Sequence, residues 1–310
     1  MLSIILPSYN ENRNIRRAYD NIKEILEEAS IPFELVYVND GSKDNTWDEI
    51  CRVVALGKKE LKNDKVKGVG FSRNFGKEAA ILAGLANASG DACVVMDCDL
   101  QHPPETLVEM YKLWQAGYEV VEGVKRSRGK EGIVYKSSAK LFYRLMSKAT
   151  GIDMSRASDF KLLDRKVVKS ILSMPERNMF FRGLSSWVGF KKTEVQFDVK
   201  ERQVGESKWS KWSLVKYAVK NIAAFSTVPM QFVTIAGALT FLGALILGIQ
   251  TLIRYFSGHA VQGFTTVILL VSIIGSVVMT SLGIMGYYIA KIYEEVKRRP
   301  VYIISEVVKN

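Results

Sequence analysis

Two long uncharged runs near the C-terminus dictate more of this chain's fold than anything else in it. No charged residue occurs from Ile222 to Ile253, and none from Tyr255 to Ala290, with Arg254 alone between them. Each run exceeds the roughly 20 apolar residues that cross about 30 Å of bilayer core. Soluble core helices seldom run this long without a polar face, so two transmembrane helices are expected, over 229–253 and 263–290. The link RYFSGHAVQ leaves room only for a hairpin. Lys208, Lys211, Lys216 and Lys220 precede the first run, and Lys291, Lys297, Arg298 and Arg299 follow the second. Lys and Arg mark the cytoplasmic side. A multi-pass protein of the cytoplasmic membrane is therefore expected, with both termini inside and 291–310 as a cytoplasmic tail. Gly237, Ala238, Gly243, Ala244 and Gly248 in the first run permit close helix packing, and with it a homo-oligomer. The segment 206–228 interleaves Trp209, Trp212 and Tyr217 with lysines. It is expected to lie in the headgroup layer, an ordinary amphipathic surface helix being the alternative.

The formal net charge is +11, and from Asn221 on there are six basic and three acidic residues, so +8 of it precedes the spans. Such a surplus suits anionic partners. No nucleic-acid recognition module is present, and the excess sits beside the membrane segments, so no nucleic acid is expected. Three cysteines without CxxC spacing argue against a disulfide framework, and two histidines against a histidine-rich zinc site. The start, MLSIILPSYN, lacks the basic region of a signal peptide and reads as a strand.

Residues 1–205 form the expected catalytic domain. SIILP, ELVYVND, VKGVGF, ACVVMD, YEVVEGV and TEVQFDV are apolar, β-branched runs, and NIRRAYDNIKEILEEA and KEAAILAGLANA have helical spacing. Alternating strands and helices imply an α/β fold with a mostly parallel sheet covered on both faces. Ligands of such sheets bind beyond the carboxyl ends of the strands. That rule selects Pro7 to Glu11 after the first strand, Asp40-Gly41-Ser42 after the second and Asp97-Cys98-Asp99 after the fourth. The usual dinucleotide and P-loop fingerprints are absent.

In an extended chain Asp97 and Asp99 share one side, and two such carboxylates disfavour joint ionisation unless a cation neutralises them. Mg²⁺ or Mn²⁺ does this through oxygen ligands, shared with substrate phosphates. Gln101 offers a third oxygen. A lone DxD is equally a solvated turn; Asp40 and PSYNE at the same rim favour nucleotide-diphosphate binding.

LPSYNE, VNDGS, FSRNFGKEAA, MDCDLQHPPE, SDFKLLDR, NMFFRGLSSWVGF and ERQVGESKW, in this order, resemble the family 2 glycosyltransferases that load polyprenyl phosphate with a sugar. Bactoprenol-phosphate glycosyltransferases and dolichol-phosphate mannosyltransferases belong to that group. VND stands where VDD is commoner, and His102 where many members have Asp. The resemblance implies a GT-A (Rossmann-like) domain followed by a two-helix transmembrane hairpin. It implies Pro7, Tyr9, Glu11, Asp40, Lys77 and Asp97 as nucleotide-sugar ligands, and Asp97, Asp99 and Gln101 around Mg²⁺ or Mn²⁺. Asp159 and Asp99 are its catalytic carboxylates, Asp159 as base or sugar-orienting group. A phosphate acceptor is already anionic at neutral pH, so orientation is the preferred role. Lys125, Arg126, Arg128 and Arg202 are expected to clamp the lipid phosphate, since guanidinium forks suit phosphate oxygens.

The implied reaction is inverting transfer from UDP-glucose or UDP-N-acetylglucosamine to undecaprenyl phosphate, for cell-envelope glycan. A GDP-mannose enzyme and a non-catalytic membrane adaptor are the alternatives. Partners are the donor, the lipid acceptor and membrane lipid, and the resemblance admits a tetramer. A processive synthase would carry QxxRW near the membrane and more spans; QVGESKW does not match.

Overall fold

β1 (Leu2–Ser8) and β2 (Phe33–Asn39) are buried almost throughout, as the centre of a sheet covered on both faces requires. Between them α1 (Asn12–Glu28) buries Ile15, Ala18, Tyr19, Ile22 and Leu26, a stripe at helical spacing. α2 (Thr46–Glu60) leads to β3 (Lys65–Phe71), α3 (Lys77–Asn87) to β4 (Ala92–Val95), and α4 (Glu105–Gln115) to β5 (Val120–Lys125). β6 (Lys161–Asp164), α5 (Arg165–Leu172), α6 (Phe181–Trp187) and β7 (Lys192–Phe197) follow. The chain ends in α7 (Val228–Phe256), α8 (Phe264–Val296) and β8 (Ile304–Lys309). This computed structural model describes residues 1–61, 65–126, 158–174, 176, 180–198, 228–257 and 263–310. Arg128, Arg202 and residues 206–227 of the juxtamembrane segment lie outside them.

The described strands form one sheet in the order β7-β5-β6-β4-β1-β2-β3-β8. β1 pairs in parallel with β2 and β4, and β2 with β3. β6 is antiparallel to both β4 and β5, so β4 and β5 run the same way, and β7 runs parallel to β5. The carboxyl ends of β1 to β5 therefore share one rim with the start of β6. Leu2, Ile4 and Leu6 face the core cluster that also holds Ile15, Tyr19, Leu107 and Met110 of α1 and α4. Ile5 points the other way, onto α3, where a Cβ on Gly84 would overlap its Cγ2. That close approach is what a glycine in mid-helix permits here, against its propensity cost.

Part of 291–310, expected as a cytoplasmic tail, joins the sheet as a strand. α8 runs on to Val296, and β8 pairs antiparallel with β3 through Val69↔Val307 and Gly68↔Val308. Glu306 accepts the Trp47 indole N–H at 2.9 Å, and Asn310 Oδ1 accepts Val66 N–H at 2.9 Å. β3 would otherwise leave its backbone groups unpaired along an open edge. By contacts the chain divides into two units, Met1–Lys211 with Arg299–Asn310, and Trp212–Arg298. Within the second unit, Met230–Gln250 and Leu270–Val296 are long and apolar enough to cross a membrane. Phe241, Ile246, Val271 and Met279 among their side chains are more than half exposed, the wrong way round for water and the right way for lipid.

Candidate active site

The three sequence clusters meet at the rim. Asp40 N–H donates to Ser8 O at 2.9 Å, Asn10 N–H to Ser42 Oγ at 3.0 Å, and Lys43 N–H to Asn10 Oδ1 at 2.9 Å. Glu11 N–H donates to Thr46 Oγ1 at 2.9 Å, and its carboxylate accepts from Asn14 Nδ2 at 2.6 Å. Tyr9, 38% exposed, stands out from the rim. Ser8 Oγ lies 3.1 Å from Cys98 Sγ, tying the β1 turn to the β4 turn. Asn10 and Leu100 adopt left-handed φ of 56°. For leucine this costs of order 1–3 kcal/mol, and such strain gathers at functional sites.

Asp40 is turned to the protein itself. Its carboxylate accepts Phe75 N–H at 2.6 Å and Gly76 N–H at 2.9 Å, and its carbonyl accepts Asn74 Nδ2 at 3.2 Å. Burial pushes this carboxyl up, and the two amides oppose it. Beside it Gly41 has φ of +60°, and a Cβ there would run into the backbone of Arg73 and Asn74. Asp40 and Gly41 thus seat the loop that starts α3, and that loop delivers Lys77.

Lys77 joins two carboxylates that lie 62 positions apart in the chain. Its Nζ is 2.7 Å from Asp97 Oδ1 and 3.1 Å from Asp159 Oδ2. Arg182 of α6 closes the far side as a fork, Nε to Asp159 Oδ1 at 2.6 Å and Nη2 to Oδ2 at 2.8 Å. Charges alternate along Asp97, Lys77, Asp159 and Arg182. Burial works to raise Asp159, only 8% exposed, but Lys77 and Arg182 outweigh it and hold the carboxylate far below its usual range. Burial likewise works to raise Asp97, and Lys77 and then His102 bring it down. Lys77 is raised, its two carboxylates overcoming desolvation.

Asp97 and Asp99 do not share a strand face as expected. β4 stops at Val95 and the chain turns at Cys98 and Asp99, so Asp97 and Asp99 do not sit on an extended strand. The cation beside Asp97 is Lys77, and Asp99 Oδ1 accepts Gln101 N–H at 3.1 Å. The donor set still fits Mg²⁺ or Mn²⁺: two carboxylates and an amide carbonyl on one turn are hard oxygen ligands. Among the described residues no three or more His, Cys, Asp or Glu gather as a cage. Phosphates and water would complete such a shell, as is usual for Mg²⁺.

His102 stacks on Phe160 at 4.6 Å between ring centroids and meets Phe197 edge-on at 5.5 Å. Burial lowers its affinity for a proton, with Asp97 opposing. Lys125 ends β5 at the same rim, exposed, and Arg126 beside it pairs with Asp198 at 3.1 Å. Arg182 and Glu78 were not singled out from the sequence. Glu78 accepts Phe181 N–H at 2.9 Å, and burial, then Asp159, push its carboxyl up to about 7. A single arginine within the apolar run NMFFRGL was the available signal for Arg182.

Residues 3–172 match the family described as Glycosyl transferase family 2. The chain is 38% identical over 307 residues to an uncharacterised glycosyltransferase of Synechocystis, covering 98% of this chain and 95% of that one. It is 36% identical over 310 residues to a prophage bactoprenol glucosyl transferase homolog of Escherichia coli K12, covering 99% of each. The bactoprenol glucosyl transferase of Shigella phage SfV is 36% identical over 309 residues, 98% of each. A mycobacterial protein of known structure overlays with a TM-score of 0.50 at 21% identity over 72% of each chain, a likeness of fold. The mixed sheet is accordingly GT-A-like, and the match reaches more than half the chain. This chain belongs to glycosyl transferase family 2, and it is a glycosyltransferase.

Proposed function

We propose that the enzyme moves a hexose, glucose before N-acetylglucosamine, from its UDP derivative to polyprenyl (undecaprenyl) phosphate at the cytoplasmic face of a membrane. The observation that carries this reading is the reach of the likeness to bactoprenol glucosyl transferases. It spans 99% of the chain, so it takes in the two apolar helices as well as the catalytic unit. A lipid acceptor explains why the two occur together, because withdrawing a polyprenyl tail from the bilayer costs about 0.8 kcal/mol per methylene. The lysines and arginines flanking both spans support cytoplasmic termini.

An acceptor phosphate oxygen forms the new bond to the sugar's C1 as the C1–O bond to UDP breaks, and the configuration inverts. No proton must leave the acceptor, since a phosphate monoester has its second pKa near 6. Asp159, held ionised by Lys77 and Arg182, is too weak a base for that work. It serves instead to orient the sugar and face the positive charge growing at C1. Pro7, Tyr9 and Glu11 hold the base and ribose, with Asp40 acting through the loop it seats. Asp97, Asp99 and Gln101 would hold Mg²⁺ or Mn²⁺, which when bound polarises the leaving diphosphate. Lys125 and Arg126, with Arg128 and Arg202, clamp the lipid phosphate.

Purified enzyme, undecaprenyl phosphate, Mg²⁺ and a panel of radiolabelled UDP- and GDP-sugars test the reading. Label should enter the organic phase from UDP-glucose. Transfer from GDP-mannose alone would make this a mannosyl enzyme, and no transfer from any donor would refute the lipid acceptor. In parallel, Ser257→Cys in intact cells should react with an impermeant maleimide; protection of that site would overturn the orientation.

A further inference from the structure

Directly behind Asp159 lies an ion pair that the transfer step does not use. Lys161, two residues on, is 0% exposed. Its Nζ lies 3.1 Å from Glu122 Oε1 and donates to Ser185 Oγ at 2.8 Å. Glu122 is the direct cross-strand neighbour of Lys161 in the β5–β6 pairing. The same Oε1 accepts Ser158 N–H at 2.9 Å, so Glu122 grips the residue before Asp159. Ser185 stands one turn after Arg182 on α6 and donates its Oγ to Arg182 O at 3.2 Å. One buried ammonium thus connects the loop bearing Asp159 to the helix bearing Arg182.

The pair is poorly suited to stability alone. Burial lowers the Lys161 ammonium's hold on its proton, with Glu122 opposing, and an apolar pair of similar volume usually holds strands as well or better. What two charges and a hydroxyl add is direction. A hydrocarbon contact tolerates a slide of α6 along β6, whereas the bonds to Ser185 and Ser158 N–H fix it. A second pin, Phe181 N–H on Glu78, holds the start of α6.

We infer that the Glu122–Lys161–Ser185 relay is a positioning device, holding Arg182 and Asp159 in the register that sugar transfer needs. This rests on the role of Asp159 proposed above.

The test compares the full-length enzyme with Glu122→Leu/Lys161→Met, Ser185→Ala and Asp159→Asn, using UDP-glucose and undecaprenyl phosphate. The double variant should keep its Tm and its affinity for UDP while kcat falls about 10²-fold, the loss a misplacement near 1 Å produces. KM for UDP-glucose should move little, and Ser185→Ala should lose kcat in the same direction. Normal kcat in the double variant or in Ser185→Ala, with Asp159→Asn inactive, overturns the relay and leaves the proposed function standing. A parallel loss of Tm and UDP binding marks a merely structural pair and overturns it as well. Normal turnover by Asp159→Asn removes the role of Asp159, and the relay with it.

Discussion

Asp159 has the guanidinium of Arg182 across both its oxygens and the ammonium of Lys77 on one of them. A carboxylate so held stays charged throughout the range in which an enzyme works, so its protonation cannot shape the pH profile of transfer. Glu78 beside it behaves in the opposite way. Its carboxyl is raised from 4.5 to about 7 by burial and then by Asp159. Between those values the folded protein holds a proton that the unfolded chain has released. Stability from Glu78 is therefore complete below pH 4.5 and is lost as pH rises through about 7. Glu78→Gln keeps an acceptor for Phe181 N–H and removes that loss. Its Tm should exceed that of the natural enzyme at about pH 8, by about 2–4 °C for each kcal/mol relieved, and match it near pH 5. Thermal scans across this interval check it; parallel curves would contradict the assignment.

The loop between β3 and α3 is the element on which the site hangs. It owes its place to a left-handed Gly41 packed on the backbone of Arg73 and Asn74, and to the Asp40 carboxylate on Phe75 and Gly76 N–H. Gly41→Ala brings about 1–2 kcal/mol of backbone strain and pushes the loop away. The expected outcome is a loss of UDP-glucose turnover of about tenfold or more, with a lowered Tm, read from initial rates and a melting curve. Unchanged turnover would show that Lys77 does not depend on this seat. The strands β1 to β5 and β7 were legible in the sequence because each is an apolar, β-branched run closed by turn residues. β6 was not: KLLD carries charges at both ends, and nothing in its composition says that Lys161 is fully buried. β8 followed a long apolar helix and looked like a tail, and only pairing with the β3 edge reveals ISEVVK as a strand. Asp97 and Asp99 were visible at once, yet the ammonium that pairs with Asp97 was not. Lys77 lies 20 positions earlier in the chain, and only the parallel order of the sheet brings it to Asp97.

At the scale of the whole molecule, one chain carries a GT-A-like unit with a charged rim and two helices whose exposed faces suit lipid. The two apolar helices were legible because no charge occurs from Ile222 to Ile253 or from Tyr255 to Ala290; the rim was legible as three separated clusters. Arg182 was hidden, because 23 positions separate it from Asp159 and 105 from Lys77, distances that only the fold closes. Of the net charge of +11, +8 precedes Asn221, a surplus that suits the two anionic substrates proposed, a nucleotide diphosphate and a lipid phosphate. An experimental structure of the full chain with UDP and Mn²⁺ bears on all of this at once. The nucleotide should lie over Tyr9 at the ends of β1 and β2, with Mn²⁺ between its diphosphate and the Asp97–Asp99 turn. A nucleotide bound elsewhere, with that turn holding neither metal nor phosphate, would contradict the assignment of the site.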